Sequence, residues 1–534
     1  MSKIDDYKQA EGPLPQDYRA WEIFGAGFDN VGKDDGPTPQ ELREPAANEI
    51  LLRVDALGLC LSDIKIINLG GEHPRLRGRD LSTDPTVLGH ECSATVVKVG
   101  EQWKEKFHPG ERFIIQADIY YKGEGIAFGY QIRGGLAQYC YLDERALDGD
   151  EGCYLLPVKR ETGYSQAALS EPWACVEMSY ALHERMVPLT NPPGKMLIVG
   201  EGHPEFAHAV RVKDSLERLP EGNFDDIIIV QPSPETVHAL APRLRKNGVM
   251  FLLGKPTSDG DVVLDIGRIH YEGIRYYGGG ADLAQVAAAV RRYDLKPGGS
   301  ALFIGGAGPM GQMHVQRSIE MEWGPKRVIV TGLETSRLRH LESRFGDMAK
   351  ERGISMITVS REDYPTNEAM DEAVRALGEG GYSDIIVIAP SAAIVTGALP
   401  MAASGALINV FAGVNTGQTA NVRLADLCRG IKIYGSSGSR ISDLRTILQK
   451  VEKKTLNTNL SIAAIGGLKA AKEGLKGLRD ARFPGKTVIY PQIPDLPLMG
   501  IEEIPERLPE LKDKLGPGGA WTKEAEQALI EKHL

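Results

Sequence analysis

Two hydrophobic rhythms divide this chain. From about Glu49 to Gln116 the apolar residues come in short runs, ILLRVDALG, SATVVKVG and RFIIQA, each bounded by Gly, Pro or charged turns. Such punctuation predicts strands joined by tight loops, a small β-rich domain that carries its chemistry on those loops. From about Lys195 the rhythm changes, and ALFIGG, MGQMHVQRSIEM, RVIVTG and LETSRLRHLESRF alternate strand-length apolar runs with stretches of helical period. Alternation of this kind predicts a parallel sheet covered by helices, a doubly wound α/β domain.

The second region also repeats itself. FDDIIIVQPSPETVHALAP, from Phe224, matches YSDIIVIAPSAAIVTGALP, from Tyr382, and IHYEGIRYYGGGADL around Tyr277 parallels CRGIKIYGSSGSRISDL around Tyr434. The order strand, helix, strand, loop, strand, helix in both predicts a partial duplication of the second half of a doubly wound domain. Only the second copy is expected to have a full first half. Where that copy carries a glycine-rich turn, the first has IVGEGHPEF, whose Glu201, Pro204 and Glu205 are expected to have cost it a nucleotide site.

Composition narrows the classes of function. At 534 residues, two or more domains are expected. A formal net charge of -10 argues against nucleic acid as a partner. The six cysteines form no CxxC pair, which argues against a disulfide framework and for a reducing compartment. No apolar run approaches the roughly 20 residues of a membrane span, and the N-terminal residues lack a signal-like segment, so a cytoplasmic protein without membrane association is expected.

Three places carry candidate chemistry. GAGPMG follows the strand ALFIG and opens a helix, so Gly306 permits the tight turn, Gly308 lets backbone N–H groups approach a pyrophosphate and Gly311 allows close packing, with Pro309 and Met310 in the same turn. This context predicts dinucleotide binding. At the end of the next strand Gly332 stands where a ribose-binding carboxylate is usual, while Glu334 and Arg337 follow it, which leaves NAD and NADP both open with a lean to NADP. In the first domain, Cys60, His90 and Glu91 lie on loops and offer a thiolate, an imidazole and a carboxylate to a zinc ion, with Glu171 as a fourth candidate, direct or through water.

The ordered set CLSD at Cys60, GHE at Gly89, GGLAQY at Gly134, SEP at Ser170 and GGAGPMG at Gly305 resembles the zinc-containing medium-chain alcohol and polyol dehydrogenases. The nearest branch is that of sorbitol dehydrogenases and L-sorbose-1-phosphate reductases, which the C-terminal FPGKTVIYPQIPDLPL also resembles. The resemblance implies an α/β protein with a GroES-like catalytic domain over 1–189, rejoined at about 455–534, an inserted degenerate Rossmann-like repeat over 195–297 and a Rossmann domain over 298–454. It implies one catalytic zinc on Cys60, His90, Glu91 and Glu171, Ser62 as the hydroxyl that relays the substrate proton, Asp63 as the carboxylate behind it, and a homodimer or homotetramer. Two departures stand out: Lys65 replaces a common histidine and could meet a substrate anion, and no four-cysteine lobe lies between Arg112 and Gly134, so no structural zinc is expected.

The expected activity is hydride transfer between NAD(P) and a secondary alcohol or ketone, with a polyol, ketose or sugar phosphate as the expected substrate. The alternatives are an enzyme whose bound cofactor oxidises only transiently, for epimerisation or elimination, and a non-catalytic binding protein on the same fold.

Overall fold

The computed structural model describes residues 3–10, 12–76, 78–181, 194–201, 209–212, 219–280, 282–283 and 293–534. They form two compact units, Met1–Cys175 with Gly438–Leu534, and Val176–Ser437. The chain therefore returns to its first unit at Gly438, earlier than the expected 455. The reason is local: the helix Ile441–Glu452 belongs with the β-rich unit, where Glu452 accepts from the backbone N–H of Lys159 and Ile441 packs on the strand-rich core.

In the first unit an eight-stranded sheet runs in the order Leu155–Pro157, Arg112–Ile115, Glu91–Val99, Ile50–Gly58, Lys486–Tyr490, Ile462–Gly467, Met499–Gly500, with Tyr139–Leu142 pairing onto Ile50–Gly58. Ile50–Gly58 is buried at every position, as a largely apolar strand covered on both faces must be, and its two charged residues, Arg53 and Asp55, pair with each other at 2.9 Å. Its antiparallel register with Glu91–Val99 sets Gly58 opposite Glu91. This pairing matters for function, because Cys60 leaves the end of one strand where His90 enters the other.

The second unit is built on a single eleven-stranded sheet. From Ser355–Ser360 it passes through Arg327–Gly332, Ser300–Ile304, Tyr382–Val387, Ala402–Val410 and Lys432–Gly435, which is the strand order 3-2-1-4-5-6 of a dinucleotide-binding domain. It then continues through Arg275–Gly279, Leu244–Leu253, Phe224–Val230, Met196–Val199 and Ala209–Val212. All neighbours are parallel except Arg275–Gly279 and Lys432–Gly435, which meet antiparallel.

One expectation about the repeat needs correcting. The 195–297 segment is no separate domain, since its strands extend the sheet of 298–435 and one apolar core holds residues of both. The first copy lacks a full first half, as expected, but keeps part of it. Met196–Val199 and Ala209–Val212 take the places that Ser300–Ile304 and Arg327–Gly332 take in the second copy, so that only a counterpart of Ser355–Ser360 is lacking among the described strands. Of the proposed lost nucleotide turn, Glu201 is described and exposed, while Pro204 and Glu205 lie outside the described residues.

Candidate functional site

Three of the candidate ligands converge. One ligand atom each from Cys60, His90 and Glu91 lies within 4.8 Å of the other two, and His90 and Glu91 are buried. The loops that bring them together are tied by Asp63, itself buried, whose carboxylate accepts from the backbone N–H of Cys60 at 3.1 Å and of Gly89 at 3.3 Å. Gly89 adopts a left-handed φ of 89°, and the backbone of the GGLAQ segment packs so close that a Cβ on Gly134 would stand 2.4 Å from the Gly89 carbonyl oxygen. The two glycine-containing motifs thus hold one another.

Two polar atoms in this group lack hydrogen-bond partners, His90 Nδ1 and Glu91 Oε2. Asp63 Oδ1 is 3.6 Å from His90 Nδ1, too far for a hydrogen bond. The other oxygen of Glu91 accepts from Lys486 Nζ at 2.5 Å, and Lys486 also donates to the Leu59 carbonyl at 2.7 Å. A half-buried thiol, an orphaned imidazole nitrogen and an orphaned carboxylate oxygen suit a divalent ion of mixed N, O and S preference, and the donor set fits zinc. The orphaned atoms are what such an ion would satisfy.

Glu171, on the helix Ser170–Met178, is buried but stands outside the converging three. Burial pushes its carboxyl up to about 7, against the lowering field of His90 and with further upward push from Glu91 and Asp118. Its place among the acidic groups fits a role beside the ion. Ser62 Oγ lies 3.0 Å from Cys60 Sγ and is partly exposed.

Sequence reasoning missed several neighbours. Lys486 had no visible signal beyond its place in FPGKTVIY; only the pairing of Lys486–Tyr490 with Ile50–Gly58 carries it to Glu91. The ring of Tyr130 lies 5.9 Å from that of His90, 5.7 Å from that of His73 and 5.2 Å from the Arg75 guanidinium. Arg75 also pairs with Asp118 at 2.6 Å. Burial and the charges of Arg75 and Lys65 lower the pKa of His73.

The second unit holds the glycine turn. Gly308 caps the helix Pro309–Glu320, and Pro309 takes the first helical position, where its missing N–H costs nothing. A Cβ on Gly306 would meet Val330 Cγ1 at 2.5 Å, and one on Gly311 would meet the Gly306 backbone at 2.6 Å, so both positions serve close packing. Gly308 instead faces open space, its nearest neighbour 3.9 Å away. Met310 sits partly exposed in the same turn. Gly332 ends the next strand with its Cβ direction filled by Ala307 and Leu338, which leaves no room for a carboxylate there. Glu334 caps the following helix, exposed, and its charge acts on Arg337 one turn on, whose pKa partial burial lowers.

Residues 46–148 match the alcohol dehydrogenase GroES-like domain. A mannitol-1-phosphate 5-dehydrogenase of Aliivibrio fischeri is 25% identical over 511 residues, 92% of this chain and 93% of that protein. An L-sorbose 1-phosphate reductase of Klebsiella pneumoniae is 24% identical over 489 residues, covering 90% and 91%. Among solved structures, the 2R,3R-butanediol dehydrogenase of Bacillus subtilis superposes with a TM-score of 0.53 at 16% identity, over 89% of this chain and 99% of that one. The chain is thus similar along nearly its whole length to polyol-phosphate and sugar-phosphate dehydrogenases and reductases, and its residues 46–148 carry the alcohol dehydrogenase GroES-like domain.

The two-part fold of such solved dehydrogenases is the one observed, a GroES-like unit bearing Cys60, His90 and Glu91 and a Rossmann unit bearing the glycine turn. No helix among the described residues is long and apolar enough to cross a membrane.

Proposed function

We propose that this dehydrogenase moves hydride between NAD(P) and a secondary alcohol or its ketone, with one zinc held by Cys60, His90 and Glu91 and a polyol, ketose or sugar phosphate as substrate. The observation that carries the reading is the convergence of three buried or half-buried ligand groups of different chemistry, two of them with an orphaned atom. Their setting is a chain that aligns nearly end to end with dehydrogenases and reductases named for sugar and polyol phosphates.

When bound, zinc supplies Lewis acidity toward the substrate oxygen and the nicotinamide supplies or accepts the hydride. The chain's own residues prepare that chemistry. Lys486 holds one oxygen of Glu91 and leaves the other to the ligand group, while Asp63 fixes the loops of Cys60 and His90. Ser62 Oγ, beside Cys60 and partly exposed, is placed to pass the substrate's proton outward. In the second unit, the helix starting at Pro309 offers backbone N–H groups to a pyrophosphate across the open face of Gly308. Arg337, with no carboxylate possible at Gly332, supports NADP over NAD.

The test is metal content by mass spectrometry and NAD(P)H binding, run beside Cys60→Ser. About one zinc per chain is expected, lost in the variant together with alcohol oxidation while cofactor affinity stays the same. A variant that keeps its zinc would remove the assignment.

A further inference from the structure

The repeated segment pairs with its counterpart in a particular way. Residues 224–266 of the first copy correspond to 382–424 of the second, as Phe224 does to Tyr382. Outside the main sheet, Asp261–Asp265 and Thr419–Arg423 form a two-stranded antiparallel ribbon. In that ribbon Val263 lies opposite Asn421, its own counterpart, while Asp261 faces Arg423 and Asp265 faces Thr419. Leu424 N–H donates to the Gly260 carbonyl at 3.0 Å, and its equivalent, Ile266 N–H, donates to the Gln418 carbonyl at 2.9 Å.

The main sheet repeats the relation. Past a one-residue difference in the intervening loop, Tyr276 corresponds to Ile433, and those two residues face each other where the copies meet antiparallel. Gly278 corresponds to Gly435. A Cβ on the first would strike the Leu427 carbonyl, and one on the second would come 2.9 Å from the carbonyl of Ile269, the counterpart of Leu427. Each contact is thus made twice, with the roles exchanged, which defines an isologous, two-fold interface. It is also a core interface, since Tyr277 and Tyr434 are buried in one cluster with Phe251 and Leu407.

We infer that the first copy is a built-in second subunit: it occupies the edge of the nucleotide-binding sheet, and the ribbon beside it, that a second copy of this chain would otherwise take. The surface fits one partner, a Rossmann domain of this same sequence family, and the chain supplies it in cis. An open strand at Lys432–Gly435 would invite edge pairing, and Arg275–Gly279 closes it. The consequence departs from the dimer or tetramer that the resemblance implies: one chain is the functional particle.

Two measurements on the full chain test this. Light scattering over an about hundredfold range of concentration is expected to return the one-chain mass throughout; a particle of twice that mass overturns the inference. A Val263→Cys, Asn421→Cys variant, with both sites exposed and opposed across the ribbon, is then oxidised. Cross-linking within one chain is the expected result. Cross-linking between chains would mean that the copies pair across molecules, and would overturn it equally.

Discussion

At the scale of single residues, the candidate metal site depends on a lysine that touches no substrate. Lys486 and Glu91 are both buried, and breaking a buried ion pair by removing one partner costs about 3 to 5 kcal/mol. Lys486→Met is expected to lower zinc affinity roughly 10- to 100-fold by releasing Glu91 from its orientation, and Lys486→Arg to restore part of it, read by competition with a chelator. Arg75 is the residue on which substrate class turns. Its guanidinium lies 5.2 Å from the centre of the Tyr130 ring, which itself lies 5.9 Å from the ring of His90, and the charges of Arg75 and Lys65 both act on His73. Arg75→Met should cut kcat/KM for a phosphorylated polyol by about tenfold or more, the worth of a charge-assisted hydrogen bond, and leave the unphosphorylated polyol within a few-fold. Equal losses on both substrates would place the phosphate elsewhere.

At the scale of elements, the glycine turn separates packing from binding. Gly306 has Val330 against it and Gly308 has nothing, so the two respond differently to substitution. Gly306→Val overfills the strand–helix contact and is expected to lower stability by about 1 to 3 kcal/mol, seen as a drop in Tm. Gly308→Asp should fold with an unchanged Tm yet bind NAD(P)H roughly tenfold or more weakly, because a carboxylate stands at the helix N-terminus where the pyrophosphate belongs. The motif GAGPMG was legible because strand, glycine spacing and helix are consecutive in the chain. Gly332 was legible as an absence of carboxylate, but that Ala307 and Leu338 fill its side-chain space became visible only in the fold.

At the scale of the molecule, pH stability has an identifiable source in the Rossmann unit. His314 is fully buried, accepts or donates at Nδ1 with Tyr180 Oη at 2.7 Å, and has its pKa lowered to about 3 by burial and by Arg317. The unfolded chain binds a proton at this residue near pH 6.5 and the folded one does not, so stability is full above that value and falls as pH drops from 6.5 toward 3, by a few kcal/mol. His314→Gln is expected to flatten that part of the profile, measured by urea unfolding between pH 7 and pH 4. An unchanged slope would locate the acid sensitivity in other groups.

The sequence by itself determined which residues could do chemistry, because Cys60, His90 with Glu91, and Gly306 to Gly311 each announce themselves in a local context of loop, strand end or helix start. It determined the two rhythms of the two units, and the existence of the repeat, for the same reason: periodicity and similarity are properties of contiguous residues. What only the tertiary structure decided is register across distant strands. Glu91 meets Lys486 from 395 positions away through the neighbours of one strand, Ile50–Gly58. The repeat was expected to pack as its own domain, yet it continues the sheet, because the last strands of both copies expose backbone edges that satisfy each other. Such pairing depends on where two edges come to lie in space, and no local pattern of side chains encodes it.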